Sequence, residues 1–181
     1  NNHLVTDTSK QNFSTGTLGV TTGKFYWEVK ATSAAGFDLI GIAGRYVTAA
    51  SEQELGEASD CYAYYSYDGK SYNNATFTTY GNTYATGDII GVALDATNNK
   101  LYFSKNGTWQ NSGNPESGAT GTGAISIGDA STTLAGVYLP AASDFGGSQS
   151  ATYDFNFGNG YFGTTAVSSA GTGASTPGTF E

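Results

Sequence analysis

From Thr17 onward the hydrophobic positions follow the period of β-strands. In KFYWEVK (24–30), Phe25, Trp27 and Val29 fall on one face of an extended segment, and Lys24, Tyr26, Glu28 and Lys30 on the other. AGFDLIGIAGRYV (35–47) alternates in the same way and is dotted with glycine, as strands are where backbones approach closely. A polar, acidic loop, 48–60, follows. CYAYYSY (61–67) is a tyrosine-rich strand closed by Asp68-Gly69, a strong hairpin turn signal. KSYNNATFTTYG and NTYATGD continue the series. DIIGVALDATNNKLYFSKNGTW (88–109) predicts a hairpin turning at Thr97, Asn98 and Asn99, with a second turn at Asn106-Gly107. Residues 110–131 read as a long loop with a short strand near Ala124–Ile127. TLAGVYLPAAS and ATYDFNFG are the closing strands. No stretch keeps a helical period over ten residues; SEQELGEAS suits a single turn.

Many short strands with turns between them predict an all-β fold, two antiparallel sheets packed as a sandwich. The segmentation is an N-terminal arm or weak first strand over 1–16, a sandwich over 17–162, and a flexible Gly/Ser/Thr-rich tail or linker over 163–181. Asn1 is an odd first residue and no methionine occurs anywhere, so a processed chain or a segment of something longer is expected.

Composition narrows the function. The 13 Tyr, 10 Phe and 2 Trp supply much of the core area. Net charge is −8 with seven Lys and Arg spread thinly, which argues against nucleic acid and against anionic membrane surfaces, both of which need clustered positive charge. No apolar run is long enough to insert in a bilayer. Cys61 is the only cysteine, so no intrachain disulfide forms, and a small buried hydrophobe is its simplest role.

Several motifs together carry a resemblance. GKFYWEVK resembles the Gly-Lys-Trp-Tyr-Trp-Glu-Val strand of SPRY domains, with Phe25 where that family often has Trp. YSYDGKSYNN looks like their Tyr-Ser-x-Asp-Gly-x-x-Tyr stretch. GDIIGVALDATNNKLYFSKNG is similar to their Gly-Asp-x-Ile-Gly hairpin ending in Phe-Ser-x-Asn-Gly, and YLPAAS and FNFG match their closing strands. The resemblance runs in family order from about Val20 to Phe157, without an evident preceding PRY segment. It implies a bent antiparallel sandwich of the concanavalin A-like jelly-roll type, a protein-interaction module without enzymatic activity, and ligands on loops at one end. The tail FNFGNGYFGTTAV…AGTGASTPGTFE is most similar to SPRY-like domains of bacteriophage structural proteins. That implies a virion module (tail fibre, tail appendage or capsid decoration) whose partners are other virion proteins or a host-surface protein or glycan, with oligomers set by the assembly. The alternatives are a lectin-like carbohydrate binder and a cytoplasmic, cellular adaptor that captures a peptide.

No catalytic or metal site is assigned, and no cofactor. His3 is the only histidine, too little for a Ser-His-Asp triad in a cleft or for a zinc site, and Asp7 beside it reads as solvated. Glu28, Asp38, Asp88, Asp95, Asp144 and Asp154 are the carboxylates from which a glycosidase pair would come. Asp88 and Asp95 more simply accept hydrogen bonds at turns. Asp95 with Asn98 and Asn99, or Asp144, would be the calcium ligands if one bound, but no EF-hand spacing exists. Gly118–Gly123 lacks the lysine and helix of a phosphate loop. Asn12, Asn74 and Asn106 open three glycosylation sequons. The candidate ligand-binding residues are Arg45, Tyr46, Tyr62, Tyr64, Tyr72 and Tyr80. One face of CYAYYSY is expected in the core. The other, with Tyr72, Tyr80, Tyr84 and Arg45-Tyr46, either packs the bend of the sandwich or forms an exposed aromatic patch, for which tyrosine offers contact area and a hydroxyl at low entropic cost.

Overall fold

A computed structural model describes residues 2–5 (backbone), 12–34, 36–47, 53–146, 150–158 and 162. The strands are β1 (Asn2–Val5), β2 (Ser14–Thr15), β3 (Lys24–Ser33), β4 (Asp38–Ala43), β5 (Cys61–Tyr65), β6 (Ser71–Asn73), β7 (Thr76–Thr78), β8 (Ile89–Asp95), β9 (Lys100–Lys105), β10 (Thr108–Trp109), β11 (Ile125–Ser126), β12 (Leu139–Asp144) and β13 (Thr152–Asn156). The helical turns among the described residues are short 3-10 segments, Gln110–Ser112, Pro115–Thr120 and Ala130–Thr132. Within the segment read as an arm, β1 and β2 pair with β13 and β12.

The first sheet runs β1-β13-β3-β8-β9-β10, with β11 also on β9; the second runs β2-β12-β4-β5-β6-β7. All the strand pairs are antiparallel, as short turns between successive strands require. The two sheets make a β-sandwich. Its core joins Trp27, Val29, Ile90, Val92, Leu101 and Phe103 from the first sheet to Ile40, Ile42, Tyr62 and Tyr64 from the second. Each fully buried Leu or Ile contributes about 1.5–3 kcal/mol by removal from water.

A second cluster lies on the outer face of the second sheet. Leu39, Ala43, Cys61, Ala63, Tyr65 and Tyr72 are covered there by Phe13, Leu55 and Ala58. Strands β4 and β5 are therefore buried on both faces. NTYATGD, expected as a strand, is a loop instead. Tyr84 is pinned inward, its hydroxyl 2.9 Å from the Asp38 carbonyl and 3.0 Å from that of Tyr64, so the segment follows its ring rather than a ladder.

Candidate functional site

Strands β6 and β7 form the free edge of the second sheet, joined by Asn74 and Ala75, both left-handed (φ 50° and 54°). Two successive left-handed residues make the tight turn whose twist matches a hairpin. Tyr62 pairs with Asn73, and Tyr64 with Ser71; Thr76 and Thr78 lie opposite Asn73 and Ser71. All six side chains thus share the face that looks toward the first sheet. Apolar on β5, that face becomes polar on β6 and β7.

The polar part lines a cavity of about 420 Å³. Ser71, Asn73, Asn74, Thr76, Thr78 and Thr79 form one wall, Asn111 with Ala124, Ile125 and Ser126 the other, and Tyr62 and Tyr80 reach it from the core. The groove opens where the edge hairpin of one sheet faces β11, at the edge of the other. Among the described residues no charged side chain lines it, in a chain of net charge −8, though the Lys100 ammonium donates to the wall residue Ser126 at 3.1 Å.

The floor is fixed by one buried and three part-buried hydrogen bonds. The Tyr80 hydroxyl accepts the backbone N–H of Phe103 at 3.0 Å, and the Tyr62 hydroxyl accepts that of Gly128 at 3.0 Å. Gln110, buried, accepts the N–H of Asn82 at 2.9 Å and donates to the Thr108 carbonyl at 2.8 Å. A Cβ at Gly81 would come within 2.6–2.9 Å of the Gln110 side chain, so glycine is what lets the two segments lie this close. Burial pushes the Tyr80 phenol up to about 12, against the lowering effect of the Phe103 N–H. Tyr64 lies beneath, 5.8 Å from Tyr80 and stacked on Phe103 at 5.4 Å, its hydroxyl donating to the Asn82 carbonyl. Burial also raises its pKa.

The six residues singled out from sequence do not share one surface. Tyr62 and Tyr80 meet at the groove, with Tyr64 below them. Tyr72 points the opposite way, stacked on Phe77 with centroids 4.2 Å apart. Arg45, half-buried, donates through Nε to Asp60 at 2.6 Å, and Tyr46 beside it is 58% exposed. Of the two readings of these tyrosines, packing within the sandwich holds, and the exposed patch is corrected. Tyr62, Tyr64, Tyr72, Tyr80 and Tyr84 are all buried, because each face of the second sheet is covered by a layer of its own. Sequence reasoning missed Ser71, Asn73, Thr76, Thr78, Asn111 and Ser126. Its one available signal was the absence of any charge from Ser71 to Gly87.

The carboxylates serve local structure. Asp95 accepts from the Asn98 N–H and side-chain amide at 3.0 and 2.8 Å and pairs with Lys24 at 3.4 Å. Desolvation pushes Asp88 up, but the Ala85 N–H, Asn106 and Lys105 outweigh it and hold the carboxyl below its usual range. Asp38, buried opposite Asp144, accepts from Ser66 and Tyr153. Glu28 accepts from Tyr26 and Asn156, and Asp154 from Thr32. Among the described residues no three or more His, Cys, Asp and Glu side chains converge as metal ligands. Burial, then Asp60, pushes the Cys61 thiol up to about 12. His3 lies in β1 opposite Asp154; Asp7 falls outside the described residues, as does the tail from 163.

The family model for the SPRY domain matches residues 24–123, the stretch that carries β3 to β10 and the groove hairpin. The chain belongs to the SPRY domain family. Ran-binding protein 9 of Danio rerio is 34% identical over 88 residues, 47% of this chain and 14% of that protein. The Drosophila melanogaster homologue of Ran-binding proteins 9/10 is 31% identical over 86 residues, 47% of this chain and 9% of its own length. Ran-binding protein 9 of Xenopus tropicalis is 33% identical over 96 residues, 52% of this chain and 17% of that protein. The chain thus matches a small fraction of these relatives. By name they are Ran-binding proteins, so they support the SPRY family and a protein-interaction role, not the virion setting expected from the tail sequence. Among the described residues no helix is long and apolar enough to cross a membrane.

Proposed function

We propose that this SPRY domain is a non-catalytic peptide-binding module of a cellular protein, and that the groove between the β6–β7 hairpin and β11 receives a segment of its partner. The observation that carries the reading is the change of character of one sheet face. Inward-facing positions that are Tyr62 and Tyr64 on β5 become Asn73 and Ser71 on β6, then Thr76 and Thr78 on β7, and the space before them stays open. A core would fill that space with apolar side chains. Here it is bordered by hydroxyls and amides on a floor of fixed rings, the mix that suits recognition of polar chain segments. The relatives support a protein ligand over a virion contact. Ran itself is not carried over, because the matched stretch is a small part of those proteins.

The test is a pull-down with the intact chain and two groove variants, Thr78→Arg and Ser126→Arg. Both positions are exposed, so melting temperature should move little, Ser126→Arg giving up only the exposed bond from Lys100. Loss of the same partner from both variants supports the site. A partner retained by both rules the groove out.

A further inference from the structure

The groove hairpin ends in a strand edge that is unpaired among the described residues, and the two faces of that edge differ. With a two-residue turn at Asn74-Ala75, the pairs Asn73/Thr76 and Ser71/Thr78 exchange the ladder hydrogen bonds between β6 and β7. The N–H and C=O of Phe77 therefore point away from β6, off the edge of the sheet. Residues 74–79 are exposed throughout. Natural edges are usually blunted by lysine, proline or a bulge. Here the strand reads Thr-Phe-Thr, and nothing from Ser71 to Gly87 is charged.

On the groove side the edge presents Thr76 and Thr78. On the other it presents Phe77, 37% exposed, whose ring stacks on Tyr72 and stands 5.2 Å from Tyr65 and 5.7 Å from Phe145. A segment added along this edge would therefore meet neutral polar groups with every second side chain and aromatic rings with those between.

We infer that the partner segment binds as an added antiparallel strand on β7, uncharged, with alternating polar and apolar side chains. This rests on the groove being the binding site and goes further, to the class and backbone mode of the ligand. The chemistry sets the class. A charge brought against the neutral β6–β7 wall loses hydration and finds no counter-charge there; the Lys100 ammonium stands at the opposite wall, bonded to Ser126 at 3.1 Å. An edge with outward N–H and C=O groups binds main chain, while pockets on alternating sides read the sequence. The partner residue opposite Phe77 exchanges both hydrogen bonds with it, and its side chain lies on the Phe77–Tyr72 stack.

The experiment selects peptides of about ten residues from a displayed random library on the intact chain. Each selected peptide is then remade with single backbone N-methyl groups. The expected result is an uncharged, alternating consensus. N-methylation at the central apolar residue weakens binding about tenfold or more, and at its two polar neighbours about twofold or less. Thr78→Arg lowers affinity for every selected peptide, and Phe77→Ala lowers it for those with an apolar centre. Peptides sensitive to Thr78→Arg but indifferent to N-methylation overturn strand addition and leave the groove standing. Peptides indifferent to both variants, or a selection that returns none while a glycan array returns hits, overturn the groove reading as well. Self-association in sedimentation that Thr78→Arg abolishes makes the occupant a second copy and overturns the partner assignment.

Discussion

The hydroxyl of Tyr80 accepts the backbone N–H of Phe103 at 3.0 Å, so a loop following the edge strand of one sheet is tied to the middle of a strand in the other. The bond fixes the groove floor from both sides of the sandwich, and Tyr80 is buried where it forms. Replacing it by phenylalanine keeps the ring but leaves a buried N–H without its acceptor. Tyr80→Phe should cost about 1–3 kcal/mol, read as a lower urea midpoint at unchanged slope.

The same residue makes stability depend on pH at the alkaline end. Its phenol is raised to about 12 in the folded chain, so the unfolded chain gives up its proton first, near the ordinary value of 10. The contribution is whole below pH 10 and is lost as pH rises toward 12, at about 1.4 kcal/mol per pH unit for one group. Tyr65, raised to about 12 by burial and then by Asp68, acts in the same window. Urea midpoints measured from pH 8 to pH 12 should fall above pH 10, less steeply in Tyr80→Phe. An equal slope in the variant would show that other groups account for the fall.

Ala75 sits at φ 54° in the groove hairpin, a conformation that crowds a Cβ. Ala75→Gly should stabilise the chain by about 1 kcal/mol, the left-handed penalty removed less the entropy glycine brings to the unfolded chain. A lower melting temperature in Ala75→Gly would show that the turn is not strained.

Gly41, in the centre of the second sheet, lies between Ala63 and Ala141 in register. A Cβ there would collide with the carbonyl oxygen of Tyr62, which is backbone and has no rotamer to escape into. Gly41→Ala should cost about 3 kcal/mol or more and disturb the groove through Tyr62. Chemical denaturation gives the cost, and near-UV dichroism of the tyrosines reports the disturbance.

Trp27, 4% exposed, packs in the inter-sheet core, and its Nε1 finds no hydrogen-bond partner among the described residues. Trp27→Ala should cost about 3–5 kcal/mol through the cavity it opens. Trp27→Phe should cost markedly less, since it removes an unsatisfied donor along with the area. Equal costs in denaturant melts would mean that the indole N–H contributes favourably.

The alternation in KFYWEVK was enough to put Trp27 and Val29 inside, and Asn106-Gly107 to turn the chain, because both depend on local rules of period and left-handed backbone. The series of family motifs, spread from β3 to β13, was legible for the same reason: each is a short segment doing a local job. CYAYYSY defeated the same logic. Period two says which tyrosines share a face, but not that a separate layer with Leu55 and Phe13 covers the second face, since Phe13 is distant along the chain and Leu55 sits in a loop with no strand period to place it.

The amino-acid sequence by itself determined most of the strands and turns, the sandwich they build and the family they belong to, because those follow from side-chain period and turn chemistry read over a few residues at a time. Only the tertiary structure decided that Ser71, Asn73, Thr76 and Thr78 face Asn111 and Ser126 across an open groove, with Tyr62 and Tyr80 as its floor. These groups come from opposite edges of two sheets. What brings them together is the packing of one sheet on the other, a balance of burial summed over the whole chain that no single stretch of it expresses.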